Sequence, residues 1–174
     1  MTIKNSEDRF NKTLQFLNKS NISGLHILDL GTSNTLSDFL KHNGFNITNT
    51  TGEDLDLDFS TVTKDDYDVV TAFEIFEHMF CPFHLLRAIK AEKLIASVPL
   101  KLWFADAYWN DLDDRDKHYH EFEVKQFDFL LKKAGWKIIR SEKWKSADKI
   151  FGIRPFLRHF FNRYYIVYCE RIFE

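Results

Sequence analysis

The chain is 174 residues long, 44% hydrophobic and 16% aromatic, with 18 Phe and a formal net charge of −2. This suits one domain with a full core, leaves little room for a second, and excludes a protein whose main task is coating nucleic acid. The two cysteines, Cys81 and Cys169, lie far apart and lack metal-ligand spacing, which excludes a disulfide framework and makes a reducing cytoplasm the expected compartment.

Met1 to Ser20 is polar, with Lys and Asp interleaved, and does not read as a signal peptide. Within it Phe10, Leu14 and Leu17 recur at helical spacing, so residues 1–20 should form an N-terminal helix closed by Asn18 to Gly24. Ile27-Leu28-Asp29-Leu30 is a short apolar run ending at Gly31, which reads as a buried strand. Leu36, Phe39 and Leu40 suit a helix from Asn34 or Thr35, stopped at Asn43-Gly44. Phe45 to Thr51 should be the second strand, and residues 52 to 66 are acidic and turn-rich. Val69 to Phe73 reads as a buried strand, Pro82 to Ala91 as a helix with Pro in its first turn, and Leu94 to Val98 as a strand ended by Pro99.

Residues 100 to 120 break the rhythm with aromatics from Trp103 to Trp109 and aspartates from Asp111 to Asp116. A helix resumes at Glu123, with Phe127, Leu130, Leu131 and Ala134 on one face and Gly135 as its stop. Trp136 to Trp144 should be a strand, and residues 147–174 should carry a helix and a last strand from Tyr164. Strands alternating with helices predict an α/β, doubly wound, mostly parallel sheet, with the last two strands as an antiparallel edge pair. One domain, 1–174, is expected. No apolar run approaches the roughly 20 residues of a membrane span.

Two segments carry a resemblance. Asp29-Leu30-Gly31-Thr32-Ser33-Asn34-Thr35, following His26 to Leu28, resembles the first strand and turn of the class I S-adenosylmethionine-dependent methyltransferases. Tyr67-Asp68-Val69-Val70-Thr71-Ala72-Phe73-Glu74-Ile75-Phe76-Glu77-His78 resembles their fourth strand, in the manner of bacterial small-molecule O-methyltransferases. His118 before a helix ending in Ala134-Gly135-Trp136 is similar to a further pattern of the family, so the likeness spans roughly residues 20 to 145. It implies a Rossmann-like fold with S-adenosyl-L-methionine as cofactor. Methyl transfer would go to an O or N atom of an acceptor, a small molecule or an envelope glycan.

The site residues follow from that resemblance. The family's acid and Gly-x-Gly-x-Gly correspond to Asp29 and Gly31, with Ser33 and Thr35 standing where the other glycines would be. The acid that takes both ribose hydroxyls falls at Asp54 or Glu53. Asp56 or Asp58 is available to the adenine-facing loop, because the helix usual after the second strand is not legible here. Phe73 and Glu74 would border the methionine moiety. A carboxylate suits the ribose because it only accepts and can take two donors.

His78, His118 and His120 are candidate general bases. The alternative for Glu77-His78 is a cap on the following helix. His118-Tyr119-His120-Glu121 also invites a metal reading, with His78 or the aspartates 111 to 116 as further ligands, but the sequence fixes no third ligand and no metal is expected. The aromatic run from Trp103 either shapes an acceptor pocket or packs in the core. The basic, aromatic segment 150–163 is either a core-packing helix or a surface that touches lipid or a phosphorylated acceptor. Two competing readings remain. One is a methyltransferase-like binding or scaffold protein that has lost the cofactor, motivated by the missing glycines. The other is a nicotinamide-dependent enzyme, disfavoured because Gly-x-Gly-x-x-Gly is absent.

Overall fold

The computed structural model describes residues 3–145, 157 and 159–172, with residues 3–6 in backbone only. The elements are α1 (Ile3–Asn18), β1 (His26–Asp29), α2 (Thr35–His42), β2 (Asn46–Asn49), β3 (Val69–Phe73), α3 (Pro82–Ala88), β4 (Lys93–Pro99), α4 (Val124–Lys133), β5 (Trp136–Lys145) and β6 (Asn162–Arg171). Short 3-10 turns sit at Ser60–Thr63, Phe76–His78 and Asp114–Asp116. The strands form one sheet in the order β2-β1-β3-β4-β6-β5. The pairs among β2, β1, β3 and β4 are parallel, and β6 pairs antiparallel with both β4 and β5. This is the doubly wound sheet with an antiparallel edge pair that the element pattern predicts.

Alternation along the buried strands sends successive side chains to opposite faces. Leu28, Val70, Leu94 and Ala96 join Phe76, Leu85, Leu86, Phe127, Leu131 and Trp136 in one core, under α3 and α4. Ile27, Val69, Ile95 and Ile166 join Phe16, Leu17, Leu36 and Leu40 in the other, under α1 and α2. Trp136 is fixed on both sides. Its indole N–H donates to the Leu86 carbonyl at 3.0 Å, and the Arg171 guanidinium lies 4.0 Å from its ring centre.

α2 starts one residue after Asn34 because that side chain accepts from the N–H groups of Leu36 and Ser37, while the Ser37 hydroxyl accepts from Asn34 N–H in return. This reciprocal cap satisfies donors that a helix start leaves orphaned. β2 is shorter than the apolar pattern predicts. The chain leaves the ladder after Thr50, whose N–H reaches the Asp29 carbonyl, and Thr51 turns its N–H and hydroxyl to Glu53. From there to β3 the chain makes only turns and the 3-10 turn at Ser60–Thr63, so the segment resembling the family's fourth strand is third in chain order.

No helix among the described residues is long and apolar enough to cross a membrane. The expected helix in 147–163, and most of the basic segment 150–163, lie outside the described residues.

Candidate active site

In a sheet of this topology the crevice lies beyond the carboxyl ends of the strands, where the strand order reverses. Here β1 carries Asp29 to that edge, β3 carries Phe73 and β4 carries Ser97. Two cavities open there. The first, about 370 Å³, is lined by Asp29, Gly31, Thr32, Phe73, Glu74 and Ser97, by Asn34 to Leu36, by Arg9, Phe10 and Thr13 of α1, and by Trp144 and Tyr164 of the antiparallel pair. The second, about 440 Å³, is lined by Gly31, Thr32, Gly52 to Asp56, Ile75, His78 to Phe80, Asp114, Arg115 and Tyr119. Gly31, Thr32 and Ile75 border both. Gly31 has φ +103°, a conformation side chains rarely adopt, and that lets the backbone turn between the two spaces.

Asp29 is 4% exposed. Its carboxylate accepts from the Thr71 hydroxyl at 2.6 Å and from the Asn49 side-chain amide at 3.0 Å. Burial raises its pKa to about 6, with these two hydrogen bonds opposing the rise. Glu74 has φ 56°, which is unusual for a residue with a side chain. Burial also raises its pKa, and the Ser97 hydroxyl and the charges of Arg9 and Arg163 oppose this. Among the described residues Arg9 is the one cation lining the first cavity, and its buried Nε has no hydrogen-bond partner there.

The acids of the 52–58 loop are used unequally. Glu53 accepts from Thr51 N–H, the Thr51 hydroxyl and the Thr61 hydroxyl, which ties the loop to itself. Asp56 takes the N–H groups of Phe80 and Cys81, and Asp58 takes Ser60 N–H. Among the described residues the Asp54 carboxylate accepts from Asp56 N–H alone, through Oδ1, and Asp54 lines the second cavity. Ser33 bonds to Asp38 Oδ1 at 3.1 Å and lines neither cavity, whereas Thr35 lines the first.

The three histidines part company. His78 borders the second cavity, and its ring meets that of His118 edge-on, with centroids 4.8 Å apart. Burial lowers the pKa of both. His120 stacks on Phe122 and bonds to the Phe80 carbonyl, outside both cavities. Glu77, 1% exposed, sits beneath His78, and burial together with the charge of Glu74 holds its carboxyl well above the usual range. The aromatics from Trp103 do not line these cavities. Trp103 is 72% exposed and borders a separate groove with Phe161, while Tyr108 packs on His118 and donates to Asp116.

Sequence reasoning did not find Arg9, Asn49, Thr71 or Trp144. Arg9 reads as an ordinary polar position of an amphipathic helix, and the others acquire partners only through strand register.

The sequence matches no protein-family model and no curated protein. Its fold is similar to that of an S-adenosylmethionine-dependent methyltransferase from Mesorhizobium loti (16% identity over 92% of this chain and 96% of the other, TM-score 0.57). It is also similar to 1,6-didemethyltoxoflavin-N1-methyltransferase of Burkholderia thailandensis, solved with 1,6-didemethyltoxoflavin and S-adenosylhomocysteine (12%, 94% and 78%, TM-score 0.61). The cyclase SpnF shares it as well (12%, 94% and 81%, TM-score 0.58). The chain therefore has the Rossmann-like fold of class I S-adenosylmethionine-dependent methyltransferases, a fold that also hosts other chemistry.

Proposed function

We propose that the chain is an S-adenosylmethionine-dependent methyltransferase acting on an O or N atom of a small acceptor. The observation that carries this reading is the pair of cavities meeting at Gly31 and Thr32, at the strand-order reversal of a sheet with this fold. Together they offer room for an extended ligand with one polar, charged end and one flat end. The residues present fit the cofactor. Arg9, with a free Nε, suits a carboxylate, and Asp29 and Glu74 suit an ammonium group. The free oxygen of Asp54 suits ribose hydroxyls, and Ile75, Met79 and Phe80 give an apolar wall for a base.

S-adenosylmethionine supplies a sulfonium methyl group that an acceptor lone pair can take directly. The protein's own task is then to orient, exclude water and remove a proton where the acceptor carries one. Of the three candidate histidines, His78 is the one that borders either of these two cavities.

The second reading, a fold that no longer takes the cofactor, draws on Ser33 and on the loop acids Glu53, Asp56 and Asp58, whose carboxylates already serve the chain itself. Calorimetric titration with S-adenosylmethionine and S-adenosylhomocysteine separates the two. Micromolar binding, about −8 kcal/mol, is expected. No binding by protein shown to be folded would overturn the methyltransferase reading.

A further inference from the structure

Beside the second cavity, and outside the residues proposed to hold the cofactor, Glu77, His78 and His118 converge from two parts of the chain. One donor atom from each lies within 4.8 Å of the other two. The Glu77 Oε1 to His78 Nε2 distance is 3.8 Å. The remaining ring nitrogens are committed in a particular way. His78 Nδ1 lies 3.1 Å from the Lys117 carbonyl, so it must carry the proton and leave Nε2 as a lone pair. His118 Nδ1 lies 3.3 Å from Glu121 Oε1, which likewise places the proton on Nδ1 and frees Nε2. An imidazole whose outer nitrogen donates to a carbonyl or carboxylate is the arrangement that orients metal-binding histidines. An independent sign is Glu77 itself. It is 1% exposed, and its buried Oε2 has no hydrogen-bond partner among the described residues. A buried carboxyl oxygen left so is costly unless a donor or a cation meets it.

We propose that Glu77, His78 and His118 bind a divalent first-row transition-metal ion, with Glu121 and the Lys117 carbonyl as positioning groups. Two imidazoles and one carboxylate are a donor set for zinc, iron, manganese or cobalt rather than for calcium or magnesium. Bonds of about 2.1 Å to one ion place ligand atoms roughly 3.4 Å apart, so the cluster must draw in by about an ångström from its present spread. Three protein ligands leave coordination positions open, and His78 sets the ion at the edge of the second cavity, where it could polarise an acceptor oxygen. This assignment removes His78 and His118 from the role of free bases. It stands independently of the methyl-transfer reading.

The test is titration of chelator-treated, folded protein with Co²⁺, followed by visible absorption, and competition with Zn²⁺ followed by calorimetry. One equivalent should bind saturably. His78→Ala and His118→Ala should each weaken binding at least tenfold, Glu121→Gln should weaken it less, and His120→Ala should leave it unchanged. Because His78 and His118 are both partly buried, circular dichroism must show each variant folded, and His118→Asn serves where the alanine variant does not fold. Absence of one-to-one binding by folded wild-type protein would overturn the proposal, as would binding that survives the loss of either histidine. The cofactor titration without metal is a separate readout, so either proposal can fail while the other stands.

Discussion

Glu74 and Ser97 clasp each other across β3 and β4 twice over. The Ser97 hydroxyl donates to Glu74 Oε1 at 2.8 Å, and the Glu74 N–H donates to the Ser97 carbonyl at 3.0 Å. The clasp holds a non-glycine residue at φ 56°, a conformation that costs on the order of 1 kcal/mol or more. Strain kept at the mouth of a cavity is better explained by binding than by folding. Glu74→Gly should therefore leave the melting temperature unchanged or slightly raised while weakening cofactor binding. Thermal denaturation run beside calorimetry checks both halves, and a melting point several degrees lower would make the clasp structural.

Asp29 gives a pH dependence. Burial lifts its folded pKa to about 6, above the ordinary aspartate value of 3.8. Between those values the folded chain keeps the proton that the unfolded chain has lost, so rising pH removes stability across that window. The full effect is about 3 kcal/mol and is complete somewhat above pH 6. Relative to Asp29→Asn, the wild type should lose stability between about pH 4 and 7. Urea unfolding of both proteins at several pH values would show it. A difference that does not change with pH would mean that Asp29 does not titrate there.

The loop acids should separate by role. Asp54→Asn keeps an oxygen for Asp56 N–H and should fold normally, yet bind the cofactor roughly tenfold more weakly, about 1.4 kcal/mol. Glu53→Gln loses charge from a carboxylate that takes three donors, and should instead lower the melting temperature by a few degrees. Equal loss of affinity in both variants would place the ribose elsewhere.

Arg9 lines the first cavity, and its guanidinium also lies over the rings of Phe10 and Tyr164, at 5.9 and 5.7 Å. Arg9→Met keeps most of the apolar stem and removes the charge. Affinity for S-adenosylhomocysteine should fall about tenfold, with little change in stability. Unchanged affinity would exclude Arg9 as the partner of the ligand's carboxylate.

The fold was readable because its determinants are local. Ile27-Leu28 and Val69-Val70 are apolar on both faces, and Leu36, Phe39 and Leu40 after Asn34 spell a helix. Strand and helix lengths then leave few topologies. The positions of candidate site residues were readable where they follow from the sheet edge, as for Asp29, Gly31 and Glu74, which line the first cavity. It was not readable where a role depends on which partner arrives from elsewhere. Asp54 and Glu53 are adjacent acids, and nothing in their order says that Thr51 and Thr61 will occupy one and not the other. His118 and His120 look equivalent in sequence, and a regular extended chain would set both on one side, yet the chain bends at Tyr119 and of the two His118 reaches His78 while His120 turns to the Phe80 carbonyl. Arg9 belongs to the cavity because α1 packs over the strand ends.

The position of β6 bears on how the molecule is made. β6 lies between β4 and β5, although β5 precedes it in the chain. While synthesis proceeds, β4 can pair with β3 but its other edge has no partner, and its register runs from Lys93–Glu170 to Pro99–Tyr164. An emerging chain therefore presents Leu94 to Val98 as an open apolar edge until β6 has left the ribosome, which is the stage at which aggregation and chaperone capture are most favoured. The last strand closes the sheet, and such distant pairing makes slow folding the expectation.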